Sequence, residues 1–198
     1  MKKILLGTGN KHKIIEITKI LKDIDNDIEI ILMDDLQDAP EKEFSFNQNA
    51  YLKALYYHNC YNLPVITDDS GICAVALNNR PGVLSKRYSG TGLDEDNNNK
   101  LIEDLKDKED KRGFYRCSIC LLVNKDEFYL FEGRFDGLII DKPVGTNGFG
   151  YDPIFFLKEY NKTVAELDLE TKNKMSHRAI ALNKMSDYLK ENNIWKDK

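Results

Sequence analysis

The sequence predicts an α/β fold. Short aliphatic and β-branched runs alternate with stretches of helical periodicity through the first third of the chain. Two strand-like runs around a polar turn follow in the middle, and a helix with an apolar face closes the sequence. At 198 residues the chain is long enough for a sizeable core and reads as one domain of up to two lobes, with no linker and no internal repeat. Hydrophobic residues at 41% and charged residues at 31% fit a soluble globular protein. A net charge of −4 gives no reason to expect a nucleic-acid partner, although local basic residues can still hold a nucleotide. No apolar run approaches the ~18–20 residues that a membrane span needs. The run after Met1-Lys2-Lys3 stops at Gly7, too short for a signal peptide, so the expected setting is cytoplasmic.

The elements can be justified in order. Residues 3–6 form a strand, Gly7-Thr8-Gly9 a turn, and Asn10 the N-cap of a helix with Ile14, Ile17 and Leu21 on one face. Lys11 and Lys13 sit in its first turn, where cations oppose the helix dipole; they form either a solvated basic face or a polyphosphate site. His12 stands where a dinucleotide fingerprint needs its third glycine. Residues 28–33 are a second strand, and an acidic loop, 34–43, follows with Pro40 in it. Ser45 and Gln48 are spaced as a capping box for a helix to about residue 61, with Tyr51, Leu52, Leu55 and Tyr56 at helical spacing and Lys53 along it.

Val65, Ile66 and Thr67 read as a buried strand that stops on Asp68 and Asp69, with Ser70-Gly71 turning the chain and a further strand at 72–77. Adjacent carboxylates at a strand end either belong to a polar turn or need a cation beside them, and a hard divalent ion suits oxygen ligands. A turn at 78–82, a basic loop at 85–90, a polar helix at 93–108 carrying Leu101, Ile102 and Leu105, and a hairpin of 116–123 with 127–135 come next, and 138–140 continue the sheet. Cys117 and Cys120 form a C-x-x-C inside the first hairpin strand. No second pair completes a zinc site, and residues three apart on a strand face opposite ways, so both read as core cysteines. With Cys60 and Cys73 they are expected as free thiols.

Residues 145–153, Gly-Thr-Asn-Gly-Phe-Gly-Tyr-Asp-Pro, hold three glycines and two aromatics. Glycine lets backbone approach a ligand closely, Phe149 or Tyr151 can stack on a flat base, and Asp152 can accept from a base N–H; the other reading turns the aromatics into the core. Residues 154–156 are a short strand. Ser176 caps a last helix with Leu182, Met185 and Leu189 on its core face, and His177 and Arg178 project from its start, with Lys172 and Lys174 upstream.

Taken together, Thr8-Gly9-Asn10-x-x-Lys13, Asp68-Asp69-Ser70-Gly71, Pro81-Gly82, Ser85-x-Arg87-Tyr88-Ser89-Gly90, Gly148-Phe149-Gly150-Tyr151-Asp152-Pro153 and Ser176-His177-Arg178 stand in an order that resembles the inosine/xanthosine triphosphate pyrophosphatases, from about residue 4 to 190. The resemblance implies an elongated mixed sheet with flanking helices and two lobes around a central cleft, a homodimer, and hydrolysis of ITP, dITP or XTP to the monophosphate and pyrophosphate with Mg²⁺, or Mn²⁺ in its place. By position, Thr8, Gly9, Asn10, Lys11, His12 and Lys13 would line the triphosphate and Lys53 would neutralise it. Glu41 and Asp69 would hold the metal with Asp68 beside them, Glu43 being the alternative two residues on. Ser70 and Arg87 would face substrate, and Phe149, Gly150, Tyr151, Asp152, Lys172, His177 and Arg178 would surround base and sugar. The chain departs from the family at Gln48, where many members carry Glu, and at Leu84, where an aromatic is common.

The chemistry expected is attack of water on a phosphoryl centre, with Asp68 or Asp69 taking its proton and Lys13 and Lys53 stabilising the leaving pyrophosphate. Arg178 and protonated His177 can only donate, which favours a 6-oxo purine over adenine. The alternatives are a Maf-like pyrophosphatase for pyrimidine or modified nucleotides, and a nucleotide-binding module without hydrolysis.

Overall fold

The computed structural model describes residues 2–24, 28–33, 36, 37, 39 and 45–192. It is a mixed α/β protein. Its strands are β1 (Lys2–Leu6), β2 (Ile28–Ile31), β3 (Val65–Ala74), β4 (Arg80–Pro81), β5 (Arg112–Asn124), β6 (Glu127–Ile139), β7 (Phe155–Leu157) and β8 (Lys162–Thr163). Its helices are α1 (Lys11–Ile24), α2 (Phe46–Tyr61), α3 (Asp94–Leu105), α4 (Leu169–Met175) and α5 (His177–Glu191), with short 3₁₀ segments between them. The strands hydrogen-bond in the order β2-β1-β3-β5-β6-β7-β8, with β4 on β3. The chain divides into two compact units, one of residues 1–69, 117–133 and 178–198, the other of 70–116 and 134–177.

In the first unit β1 pairs in parallel with β2 and with β3, matching Leu5 to Val65 and Leu6 to Ile66. Alternation along the strands sorts side chains onto two faces. Ile4, Leu6, Ile66, Cys117, Ile119 and Leu121 point to one face and pack with Ile17, Ile20 and Leu21 of α1 and Ala179, Leu182 and Met185 of α5. The opposite face carries Leu5 and Val65 against Tyr57 of α2, and Cys120 and Leu122 against its Ala50 and Ala54. Cys117 and Cys120 are thus buried free thiols on opposite faces, as their spacing predicts, and burial pushes each up to about 12. Among the described residues no helix is long and apolar enough to cross a membrane.

In the second unit β3 pairs antiparallel with β4, β6 with β7, and β7 with β8. The core there joins Ile72, Leu101, Leu105, Tyr115, Ile139, Tyr151, Phe155 and Leu157.

Caps form where the sequence places them. Asn10 Oδ1 accepts from the N–H groups of His12 and Lys13, at 2.9 and 3.2 Å. Ser45 Oγ accepts from the Gln48 N–H and donates to Gln48 Oε1. Three expectations fail. The strand expected at 72–77 is the end of β3 and stops at Ala74, with Val75–Leu77 a 3₁₀ segment. Ser70-Gly71 is not a turn, because β3 runs unbroken from Val65 to Ala74. Gly71 serves packing instead: a Cβ there would collide with the Gly82 carbonyl and the Ser85 hydroxyl. Ser85 Oγ in turn accepts from the Ile72 N–H and donates to Gly82 O, so the small residue lets the next segment lie on the strand. The 85–90 loop is in part a 3₁₀ segment, Gly82–Arg87. Helix α4, capped by Asp168 on the Thr171 N–H, has no apolar periodicity to announce it.

Candidate active site

Asp68 and Asp69 occupy the middle of β3, so alternation sends them to opposite faces of the sheet. Asp68 follows Ile66 onto the α1/α5 face. Its Oδ2 lies 2.9 Å from Lys13 Nζ and 3.3 Å from Arg178 Nη2. Arg178 is fully buried and its Nη1 also donates to Glu16, a buried carboxylate one turn along α1 from Lys13. Asp69 follows Val65 and Thr67 onto the α2 face. Thr67 Oγ1 donates to Ala50 O at 2.6 Å, tying strand to helix. Asp69 Oδ1 then accepts from Lys53 Nζ at 3.2 Å and Oδ2 from Asn49 Nδ2 at 3.0 Å. Two neighbouring acids coexist because each meets its own cations.

Their electrostatics diverge. Burial by itself raises the Asp68 carboxyl, but Lys13, Arg178 and Lys53 outweigh it and hold the group far below the ordinary carboxylate range. Asp69 moves the other way: burial raises it by more than Lys53, Lys13 and Asn49 lower it. Asp68 is therefore a fixed anion, and Asp69 has the greater proton affinity. Arg178 is raised, the Asp68 and Glu16 charges outweighing its burial.

The second unit holds a different polar cluster. Asp152 is buried; its Oδ2 accepts from Lys172 Nζ at 2.7 Å and from the Phe149 N–H at 3.0 Å, and its Oδ1 from the Tyr115 hydroxyl at 3.1 Å. Lys172 Nζ lies 4.7 Å from the Phe149 ring centroid, a cation–π contact. Gly148, at φ +78°, brings the loop so close to Asp152 that a Cβ would strike its carboxylate. Gly150 is held from both sides, its N–H by Asp94 at 2.7 Å and its carbonyl by Asn98 at 3.1 Å. The two aromatics separate: Tyr151 is only 4% exposed and donates to Ser85 O, whereas Phe149 is half-buried. The His177 ring stacks on Tyr115, centroids 4.7 Å apart and planes 9° from parallel.

The structure therefore brings Lys13, Lys53, Asp68, Asp69 and Arg178 together in the first unit, and Phe149, Asp152, Lys172 and His177 in the second. His177 and Arg178, grouped in the sequence, fall in different units. Thr8 and Asn10 shape the turn before α1, where Gly9, Lys11 and His12 are exposed. Ser70 and Arg87 are half-buried in the second unit. Glu41 and Glu43 lie outside the described residues, as does any metal pairing of Glu41 with Asp69. Among the described residues no group of three or more His, Cys, Asp or Glu side chains converges as a metal site. Asp69 itself suits a hard cation, since each of its oxygens keeps a lone pair beyond the donor it already accepts.

Sequence reasoning missed Glu16, Asn49, Asp94, Asn98 and Tyr115. Glu16 had a signal, a carboxylate beside Ile17 on the apolar face of α1. Asn49 and Asn98 had none, since their inward positions on α2 and α3 emerge only in the fold.

The chain is similar to known proteins along nearly its whole length. A family model described as the Ham1 family matches residues 4–188. A protein of Geobacter sulfurreducens named dITP/XTP pyrophosphatase is 42% identical over 96% of this chain and 97% of its own length. One of the same name from Desulfotalea psychrophila is 42% identical over 90% of this chain and 81% of its own. Among solved structures, a HAM1 protein from Coxiella burnetii has a TM-score of 0.88 and the Staphylococcus aureus Ham1 protein one of 0.86. Each is 36% identical and covers 96% of this chain and all of its own.

Proposed function

From the premise that this chain belongs to the Ham1 family, we propose that it is a nucleoside triphosphate pyrophosphatase for deaminated purine nucleotides, cleaving dITP, XTP and ITP to the monophosphate and pyrophosphate. Relatives named dITP/XTP pyrophosphatase at 42% identity support the reaction. The observation that carries it here is the divided acid pair: Asp68 meets Lys13 and Arg178 on one face of β3, and Asp69 meets Lys53 and Asn49 on the other.

Asp69 is positioned to take the proton of the attacking water. The water oxygen bonds to the α-phosphorus, the bond to the bridging oxygen breaks, and pyrophosphate leaves with the electron pair. Lys53 and Lys13 compensate the charge that grows on the departing group. Asp68, itself held by Arg178, keeps Lys13 at the face of β3. Asp69, with Glu41 by family position, would hold Mg²⁺ or Mn²⁺. When bound, a divalent cation withdraws charge from the phosphate oxygens.

Phe149 offers a flat face to a base, and Lys172 beside it is a pure donor. A 6-oxo purine satisfies that donor. Adenine presents a 6-amino donor instead, and the mismatch costs about 1–3 kcal/mol. The same reading carries a homodimer in the cytoplasm, where the nucleotide pool lies.

The test is a substrate panel with Mg²⁺: ITP, dITP and XTP against ATP, GTP, UTP and dTTP, scored for pyrophosphate and phosphate separately. Pyrophosphate from the oxo-purines is the expected result. Preference for UTP or dTTP would move the chain to the Maf-like reading, and no release with any substrate would leave only nucleotide binding.

A further inference from the structure

We propose that Tyr115 is a positioning residue for base selection, acting through Asp152 and His177; this rests on the function proposed above. Tyr115 lies on β5 with its ring buried against Phe155, centroids 4.7 Å apart. Packing alone would need only a phenyl ring. The hydroxyl adds a bond to Asp152 Oδ1 at 3.1 Å, on the oxygen opposite the one that accepts from Lys172 and the Phe149 N–H. With donors on both oxygens the carboxylate plane is fixed, and with it the Lys172 ammonium over Phe149. The phenol ring also stacks on the His177 imidazole within 9° of parallel, which fixes the plane of that ring. One side chain thus orients three groups assigned to the base: the lysine donor, the loop that carries the stacking ring, and the histidine.

A hydrogen bond to a buried charge holds direction as well as energy. Without the hydroxyl the carboxylate can rotate toward Lys172, and the donor set loses its aim while the fold, still filled by a ring of the same shape, keeps its packing. Losing aim at the base weakens ITP binding and narrows the gap to ATP. It leaves the reaction at the phosphate untouched.

The experiment is steady-state hydrolysis of ITP and ATP by the full chain carrying Tyr115→Phe, Asp152→Asn, or both. Tyr115→Phe is expected to raise the KM for ITP about five- to tenfold with kcat within about twofold, and to lower the ITP/ATP ratio of kcat/KM by a similar factor. Tyr115→Ala, which also removes the stack on His177, should lose more of the ratio than Tyr115→Phe. In the Asp152→Asn background Tyr115→Phe should add nothing, since the hydroxyl acts through that carboxylate. An unchanged ITP/ATP ratio in Tyr115→Phe, or full additivity with Asp152→Asn, overturns the inference. Failure of the unsubstituted protein to hydrolyse ITP would instead remove the function on which it rests.

Discussion

The two polar clusters solve opposite problems. In the first unit Asp68, Asp69, Lys13, Lys53, Glu16 and Arg178 are set on regular strand and helix, and full charges balance one another in the interior. In the second unit Asp152 and Lys172 form one ion pair, and most of the remaining order comes from directional bonds to a glycine-rich loop and from stacked rings. A polyanion demands charge on rigid supports, because displacement of a full charge in a poorly screened site is costly. A flat, neutral base demands planes and aimed donors, which a loop can present once its backbone is pinned. Tight charge balance and tight aim are different designs, and they should fail differently.

The largest expected effect is on the chemistry of the first cluster. Asp69→Asn should cut ITP turnover by about 10²–10⁴-fold with the circular dichroism spectrum unchanged. Pyrophosphate release above a tenth of normal would show that the more basic carboxylate is not the proton acceptor. Next comes stability. Arg178→Ala leaves Glu16 and Asp68 as buried anions without their guanidinium, a loss of about 3–5 kcal/mol, read from the denaturant midpoint. A midpoint shift worth under about 1 kcal/mol would mean that the first cluster is less dependent on balance than its burial implies. In the second cluster the loss should appear in binding. Phe149→Ala removes a stacking face worth about 1–3 kcal/mol and should raise the KM for ITP with little change in kcat or melting temperature. An equal fall in kcat would break the division of labour between the clusters. The smallest effect sharpens it. Lys174, two residues from Lys172, pairs with Glu170 at an exposed site. Lys174→Ala should shift stability by no more than about 0.5 kcal/mol and leave the KM for ITP alone.

Much of this was legible from local rules. Asn10 and Ser45 cap where their side chains are suited to do so, the hairpin turns at Lys125-Asp126, and the spacing of Cys117 and Cys120 sorts them onto two faces. What local rules could not supply was the interior use of polar residues. On α2 the residues Tyr51, Leu52, Leu55 and Tyr56 look like the buried face, yet Asn49, Ala50, Lys53 and Ala54 are the ones turned inward. Helical periodicity ranks side chains by hydrophobicity, and a helix that must deliver an amide and an ammonium to Asp69 reverses the ranking. At Ser70-Gly71 a turn-forming pair lies within a strand because the demand for space beside Ser85 overrides backbone preference. Asn97 and Asn98 lie on the helix expected to be polar but are buried, Asn97 fixing Ser89 and Lys86 and Asn98 fixing Gly150.

The opposite orientation of neighbouring acids on β3 makes the spacing of that strand a constraint in its own right. Inserting a single residue between Ile66 and Asp68 would move each carboxylate to the wrong face, setting Asp68 where Asp69 meets Asn49 and Lys53 and Asp69 in the place of Ser70, and would turn Ile72 out of its layer. Substitution can be absorbed at many positions of such a segment; a change in its length cannot.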